Sequence, residues 1–254
     1  MIRRIVKEVV NTILKPAGLR ISRDYWGPRG YKRALLRARE AGIAISEVVD
    51  IGAARGEWTM ECMGVYPDAA YFLVDPLAEN AARLKELANR YKNVRFWQGG
   101  IGSQAEKKEF FVSGSGPGFF GDQSSFYKSE YSPVSAVPRR EIEIRTLDSF
   151  LSSGALRAPG LLKADVQGYE LEVLKGGLQV LRHAEMVVLE LHFRRNYDGV
   201  PLAHEVITFM GQQGFRIYDI LTTYIRPSDT ELMEGDVMFA KDNSPLFSPE
   251  CDDR

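Results

Sequence analysis

The sequence predicts an α/β domain built on a mostly parallel sheet with helices on both faces, and three observations carry the prediction. Short apolar runs alternate with helical periods between about residues 47 and 240, the order that strand–helix–strand units produce. The runs are close to continuously apolar, as in strands buried on both faces. The first of them passes into Asp50-Ile51-Gly52-Ala53-Ala54-Arg55-Gly56, a Gly-rich turn that opens a new helical period. Gly tolerates φ > 0 and has no Cβ, so a ligand can approach the backbone N–H groups of such a turn.

The spacing of that turn is not the Gly-x-Gly-x-x-Gly of dinucleotide folds. A carboxylate stands two residues before the first Gly, a poor neighbour for a phosphate and a better one for an amine-bearing ligand. The amino-acid portion of S-adenosylmethionine fits that description. The plainer alternative is a turn that only joins strand to helix.

Residues 2–14, at the start of the chain, read as a basic amphipathic helix. Ile2, Ile5, Val6, Val9, Val10, Ile13 and Leu14 share one face, Arg3, Arg4, Lys7 and Asn11 occupy the others, and Pro16 and Gly18 end it. Two uses stay open: packing on the main domain or on a second subunit, and peripheral contact with an anionic membrane surface. A helix over 30–42 follows, then a strand at 47–51, a helix from Gly56 to about Tyr66, and a strand over 70–74. This second strand ends at Asp75-Pro76, about 20 residues past the Gly-rich turn, where α/β folds set a carboxylate against a ribose. A helix spans 78–91 and a strand 94–98, which ends in Gly99-Gly100-Ile101-Gly102. That turn either flanks an adenine ring, with Ile101 as the apolar contact, or only reverses the chain.

Residues 107–113 and 141–147 alternate apolar and polar positions and read as edge strands. The stretch 114–138 between them is rich in Gly, Ser and Pro and carries aromatics. Its length favours a lid or substrate loop over a linker. A short helix begins at Asp148. A strand at 161–164 runs into Asp165, and one helix carries Leu171, Val173, Leu174 and Leu178. A strand at 186–191 delivers Glu190 and His192, a helix covers 202–213, and strands follow at 215–221 and 236–240.

Composition is that of a globular protein, with 44% apolar and 26% charged residues. The two cysteines, Cys62 in a helical period and Cys251 in an acidic tail, form no disulfide or metal-ligand pattern. There is no secretory signal and no apolar run long enough to span a bilayer, so a cytoplasmic protein is expected, with the inner membrane face as its peripheral contact if the first helix binds lipid. The net charge of −1 is uneven: residues 1–39 hold 11 Lys/Arg against Glu8 and Asp24, a local +9, which leaves −10 for the remainder. An acidic main body makes a poor groove for phosphates. The chain also has no Asn/Asp-Pro-Pro-Tyr for base-amine methylation and no Pro-Cys for cytosine C5, so nucleic acid is not the expected partner.

In open α/β sheets ligands bind outside the carboxyl ends of the strands. That edge collects Asp50 and Gly52, Asp75, Gly100 and Ile101, Asp165, and Glu190 with His192. Polar groups at the end of every apolar strand are costly without partners and mark a site.

These residues carry a resemblance to the FkbM-type class I methyltransferases. It rests on Val49 to Thr59, on Asp75-Pro76, on Ser124-Ser125 and on Arg145-Thr146-Leu147-Asp148. Its most specific part is Leu162-Lys163-Ala164-Asp165-Val166-Gln167-Gly168-Tyr169-Glu170 with Lys175-Gly176. Glu190 and Asp236 match as well, and the similarity spans about 45–242. Ala53-Ala54-Arg55 stands where Ala-Asn-x is common in the family, and Gln167 where Glu is common. The resemblance implies a Rossmann-like fold with a seven-stranded sheet whose last strand is antiparallel. The implied organisation is a basic helical extension over 1–42, a methyltransferase domain over 43–242 and a polar tail over 243–254. The implied activity is S-adenosylmethionine-dependent O-methylation of a hydroxyl on a sugar or other small polar natural product. The cofactor set it suggests is Asp50, Gly52, Ala53, Gly56, Asp75, Pro76, Gly100, Ile101 and Asp165. Ser124, Ser125 and Gln167 are the substrate candidates.

An alcohol loses its proton as it attacks a sulfonium methyl, so a base at the strand tips is expected. His192 is the first choice, with Asp165 and Glu190 orienting groups or stabilising charge; a satisfied strand-end histidine is the alternative. The same three side chains are able to ligate a divalent cation, although no metal is assigned. A homo-oligomer is compatible with the first helix. A different class of function is a non-catalytic nucleoside-binding scaffold in a biosynthetic complex.

Overall fold

A computed structural model describes residues 30–113, 124–128 and 138–247. The expected helix at 2–14, most of the 114–138 loop and the end of the tail lie outside the described residues. Along the chain come α1 (Tyr31–Glu40), β1 (Glu47–Ile51), α2 (Glu57–Met63), β2 (Ala70–Asp75), α3 (Ala78–Arg90), β3 (Val94–Gln98), β4 (Gly100–Ile101), β5 (Glu106–Phe111), β6 (Arg139–Arg145), α4 (Leu147–Ser152), β7 (Leu161–Ala164), α5 (Glu170–Lys175), α6 (Leu178–His183), β8 (Met186–His192), α7 (Ala203–Gln212), β9 (Phe215–Ile220), β10 (Tyr224–Ile225) and β11 (Leu232–Lys241).

The main sheet has the order β10-β11-β8-β7-β1-β2-β3, with β9 also paired to β11. Strands β3, β2, β1, β7 and β8 are mutually parallel. β11 runs antiparallel to β8, β9 and β10, so the last strand is the reversed one, as expected. The expected seven strands are all present. The eighth, β10, is a two-residue pairing on β11, too short to leave a period in the sequence. Strands β5 and β6 form a separate three-stranded sheet with β4.

Successive strand residues point to opposite faces, and each face has its own core. Val49, Ile51, Leu162, Val187 and Leu189 lie on one, under helices α4 to α7. Val48, Tyr71, Leu73, Leu161 and Val188 lie on the other, with Trp58 and Cys62 of α2 and Leu84 and Leu87 of α3. Helix α1, set apart by sequence as part of a basic extension, packs into this second core: Ala34, Leu35 and Ala38 have no exposed surface. Among the described residues no helix is long and apolar enough to cross a membrane.

The single helix expected after Glu170 is two, α5 and α6, separated at Gly176-Gly177. The break has two causes. The Asp148 carboxylate accepts from the N–H groups of Gln179 and Val180 at 3.0–3.1 Å, which caps a new helix start. The backbone of Gly176 also lies so close to the turn after β4 that a Cβ there would stand 1.9 Å from the Gly102 carbonyl oxygen. Gly176→Ala is therefore expected to destabilise the fold by about 1–3 kcal/mol, the usual cost of forcing atoms into a packed interior. Urea unfolding checks this; an unchanged midpoint would show that the two turns part freely.

Candidate functional site

Parity within the strands, more than position at their tips, assembles the site. Asp50 pairs with Lys163 across β1 and β7, and Glu190 with Asp236 across β8 and β11. Each is an even number of residues from Val48, Leu161, Val188 or Met238 on the face that α1 and α2 cover. One face of the sheet thus carries a polar row across four adjacent strands.

Lys163 is its centre. The side chain is 5% exposed, and its Nζ lies 3.4 Å from Asp50 Oδ1 and 3.4 Å from Asp165 Oδ2, with the Gly52 carbonyl at 3.5 Å and the Trp58 ring beside it. Burial alone would lower the ammonium's pKa; the Asp50 and Asp165 carboxylates outweigh it and hold the pKa above its ordinary value. Thr59 donates to the other Asp50 oxygen at 2.5 Å. Gly52, at φ +73°, packs against the next strand so closely that a Cβ would meet the Asp165 carbonyl at 1.8 Å. Only Gly serves there, for both conformation and space.

Asp75 accepts from Ala54 N at 2.9 Å, Leu77 N at 2.9 Å and Asn80 Nδ2 at 3.1 Å. Burial pushes its carboxyl up to about 6 in spite of these donors. On the far side, Gln167 adopts φ +54°, an uncommon conformation for a residue with a side chain. Its amide donates to Glu190 at 2.8 Å and to Asp165 at 3.3 Å, and its oxygen accepts from Tyr197 at 2.9 Å. A Glu at this position would set a third carboxylate against two others, so the departure from the family pattern suits this setting. Burial, with Asp165 and Glu234 nearby, raises the Glu190 carboxyl well above its usual range. Glu170, raised by burial to about 8, uses one oxygen to accept from Val166 N and Gly168 N, which fixes the turn that carries Gln167.

These elements enclose a cavity of about 490 Å³ outside the carboxyl ends of the strands. Of the residues expected at the site, Gly52, Ala53, Asp75, Pro76, Gly100, Ile101, Ser124, Asp165, Gln167 and Glu190 line it. Four do not. Asp50 is fully buried beneath it, held by Thr59 and Lys163. Gly56 starts α2 in the left-handed region and packs on Leu87. Ser125 spends its hydroxyl on the Gln167 carbonyl and the Tyr127 N–H. His192 lies behind Glu190, 2% exposed, and burial lowers its imidazole to about 4 against a smaller opposite pull from Asp165. A shielded imidazole with so low a value is a weak base at neutral pH.

The sequence reading missed Lys163 as a site residue, and with it Tyr31, Trp58 and Glu234, which also line the cavity. The signal for Lys163 was present: a lone cation inside Leu161-Leu162-Lys163-Ala164, a run otherwise apolar. Tyr31 comes from a helix whose docking no local pattern announces.

A parallel sheet with one reversed strand, a Gly-rich turn after β1 and a carboxylate at the tip of β2 define a class I methyltransferase. The chain belongs to the methyltransferase FkbM domain family, whose sequence profile matches residues 50–217, and it is an S-adenosylmethionine-dependent enzyme. It is 28% identical over 163 residues to the 2-O-methyltransferase NoeI of Sinorhizobium fredii, covering 61% of this chain and 67% of that protein. It is 35% identical over 71 residues to the hexuronic acid methyltransferase AglP of Haloferax volcanii, covering 25% of this chain and 30% of that one. A methyltransferase FkbM from Methylobacillus flagellatus superposes with a TM-score of 0.49 at 16% identity, over 76% of this chain and 44% of the other. The chain thus spans about two thirds of the first curated relative and under a third of the second.

Removing the central cation leaves Asp50 buried and uncompensated. Lys163→Met is expected to cost about 3–5 kcal/mol, and the Asp50→Asn/Lys163→Met double variant to recover part of it, as read in a double-mutant cycle by urea unfolding. Additive losses would show that the two side chains do not act as a pair.

Proposed function

We propose that this enzyme transfers the methyl group of S-adenosylmethionine to a hydroxyl of a sugar or another small polar molecule. The observation that carries this reading is the convergence of strand-tip groups from β1, β2, β7 and β8 on one cavity. One curated relative is a 2-O-methyltransferase and the other a hexuronic acid methyltransferase, which supports this acceptor class over a non-catalytic scaffold. In the same reading, the methyltransferase domain expected over 43–242 also takes in α1, whose Ala34, Leu35 and Ala38 are part of its core, and residues 2–14 serve as its contact with a membrane surface or a second copy.

The cavity walls suit the methyl donor. Trp58 lines the cavity, and its buried indole N–H has no partner among the described residues, so it is a donor for the ligand's carboxylate. Gly52 and Ala53 line the cavity where the methionine part would lie, while their own N–H groups donate to the Val74 carbonyl and hold the turn against β2. Asp75 accepts from ribose hydroxyls, and Ile101, 2% exposed, offers an apolar wall for the adenine. When bound, S-adenosylmethionine supplies a methyl on a sulfonium, whose departure leaves a neutral thioether. The protein's main task is then to hold the acceptor oxygen in line, about 3–3.5 Å away. Asp165 takes the acceptor's proton. Its side chain opens on the cavity, 34% exposed, while Lys163 pairs with it from below. Gln167 fixes its orientation.

Asp165→Asn is expected to lower kcat by about 10²–10⁴ in a methyl-transfer assay with hydroxylated sugar acceptors; an unchanged kcat in the folded variant would remove Asp165 as the base. No turnover with any hydroxylated acceptor, in a protein that binds S-adenosylhomocysteine, would contradict the acceptor class.

Asp75 gives a pH signature. Because its folded-state pKa is raised, the native protein holds the proton more tightly than the unfolded chain between 3.8 and about 6. Its stabilising share is therefore present at low pH and is lost as pH rises through about 6. The ionised form is the one that accepts hydroxyls, so affinity for S-adenosylhomocysteine is expected to rise as pH increases through about 6. Calorimetry at several pH values should show this rise in wild type and not in Asp75→Asn; the same profile in both would discard the ribose role.

A further inference from the structure

Behind the cavity wall three ligating side chains face one another without a compensating cation. Glu170, Glu190 and His192 each bring one ligand atom within 4.8 Å of the others. His192 is the informative member. Its side chain is 1% exposed, and neither ring nitrogen has a hydrogen-bond partner among the described residues. Nε2 lies 3.6 Å from a Glu190 oxygen, and Nδ1 lies 3.7 Å from a Glu234 oxygen. A buried imidazole normally satisfies at least one nitrogen, and buried carboxylates are normally paired or ligate metals. No Lys or Arg ion pair is recorded for Glu170 or Glu190 among the described residues; Lys163 is committed to Asp50 and Asp165.

We infer that Glu170, Glu190 and His192 form a binding site for a divalent first-row transition cation. Imidazole with two carboxylates suits Mn²⁺, Fe²⁺, Co²⁺ or Zn²⁺ better than Mg²⁺ or Ca²⁺, which prefer all-oxygen shells. Ligand atoms on one ion stand at most about 4 Å apart, so binding requires a slight rotation of the Glu170 and Glu190 side chains to close the set to that span. Glu170 has one oxygen uncommitted, since its two backbone hydrogen bonds both go to Oε1. His192 ligates through Nε2 while Nδ1–H turns to Glu234, the carboxylate–histidine–metal relay that orients such ligands. Glu190 lines the cavity, which gives the ion an entry path and sets it one side chain away from the acceptor hydroxyl.

The test uses the full chain freed of metal with a chelator, titrated with Co²⁺ alone and followed by calorimetry and visible absorption. The methyl donor is omitted, so failure here leaves the methyltransferase reading untouched. The expected result is one equivalent bound, with a ligand-field band and a rise in Tm. Affinity should fall at least 100-fold in His192→Gln and in Glu190→Gln. In Glu234→Gln it should fall about 10–100-fold, the usual effect of losing a carboxylate behind a ligating His. Circular dichroism establishes that each variant is folded; should His192→Gln fail to fold, the two Glu variants decide the question. No stoichiometric binding by wild type, or binding that survives these substitutions, would overturn the site.

Discussion

The buried ion pair of Lys163 with Asp50 and Asp165 is the constraint on which the rest of this molecule depends. A cation 5% exposed inside an apolar sheet is stable only while its anions stand in place. Those anions are fixed by the register of β1 on β7 and by the turn after β7. The close approach of Gly52 to the Asp165 carbonyl belongs to the same arrangement. Through it, the Gly-rich turn that borders the ligand cavity and the carboxylate that opens into it are held as one unit.

Acidic groups dominate the rest of the polar face. Asp75, Glu190, Glu234 and Asp236 are all raised, with burial as the leading cause. Such a field suits a ligand that brings positive charge, as a sulfonium and an ammonium do, and it disfavours phosphate. The same field surrounds His192 without giving either nitrogen a hydrogen bond, and the cation inferred between Glu170, Glu190 and His192 would balance it. The donor cavity and the metal site share Glu190, so the chemistry of the two is linked at that side chain.

Much of this was legible in the sequence because parallel strands and the Gly-rich turn are local signals. The 94–98 and 161–164 strands fall where their apolar runs lie, and the tip carboxylates Asp75, Asp165 and Glu190 reach the cavity as their positions suggested. What escaped the reading depends on contacts distant in the chain. The break between α5 and α6 is made by Asp148, about 30 residues earlier. Tyr31 reaches the cavity only because α1 docks on β1's side of the sheet. His192 sits at a strand end like the others, yet Glu190 stands between it and the cavity, and no linear pattern separates a residue that lines a site from one just behind it. Strand parity places Asp50, Lys163, Glu190, His192 and Asp236 on one face once the register is known.

In the proposed reading one cavity, at the tips of β1, β2, β3 and β7, holds the methyl donor. Hydrogen–deuterium exchange with and without S-adenosylhomocysteine tests it most directly. The predicted result is protection confined to residues 51–57, 74–77, 99–102 and 163–167, with the β9–β10 edge unchanged. Protection at another face, or none in a protein saturated with ligand, would contradict it.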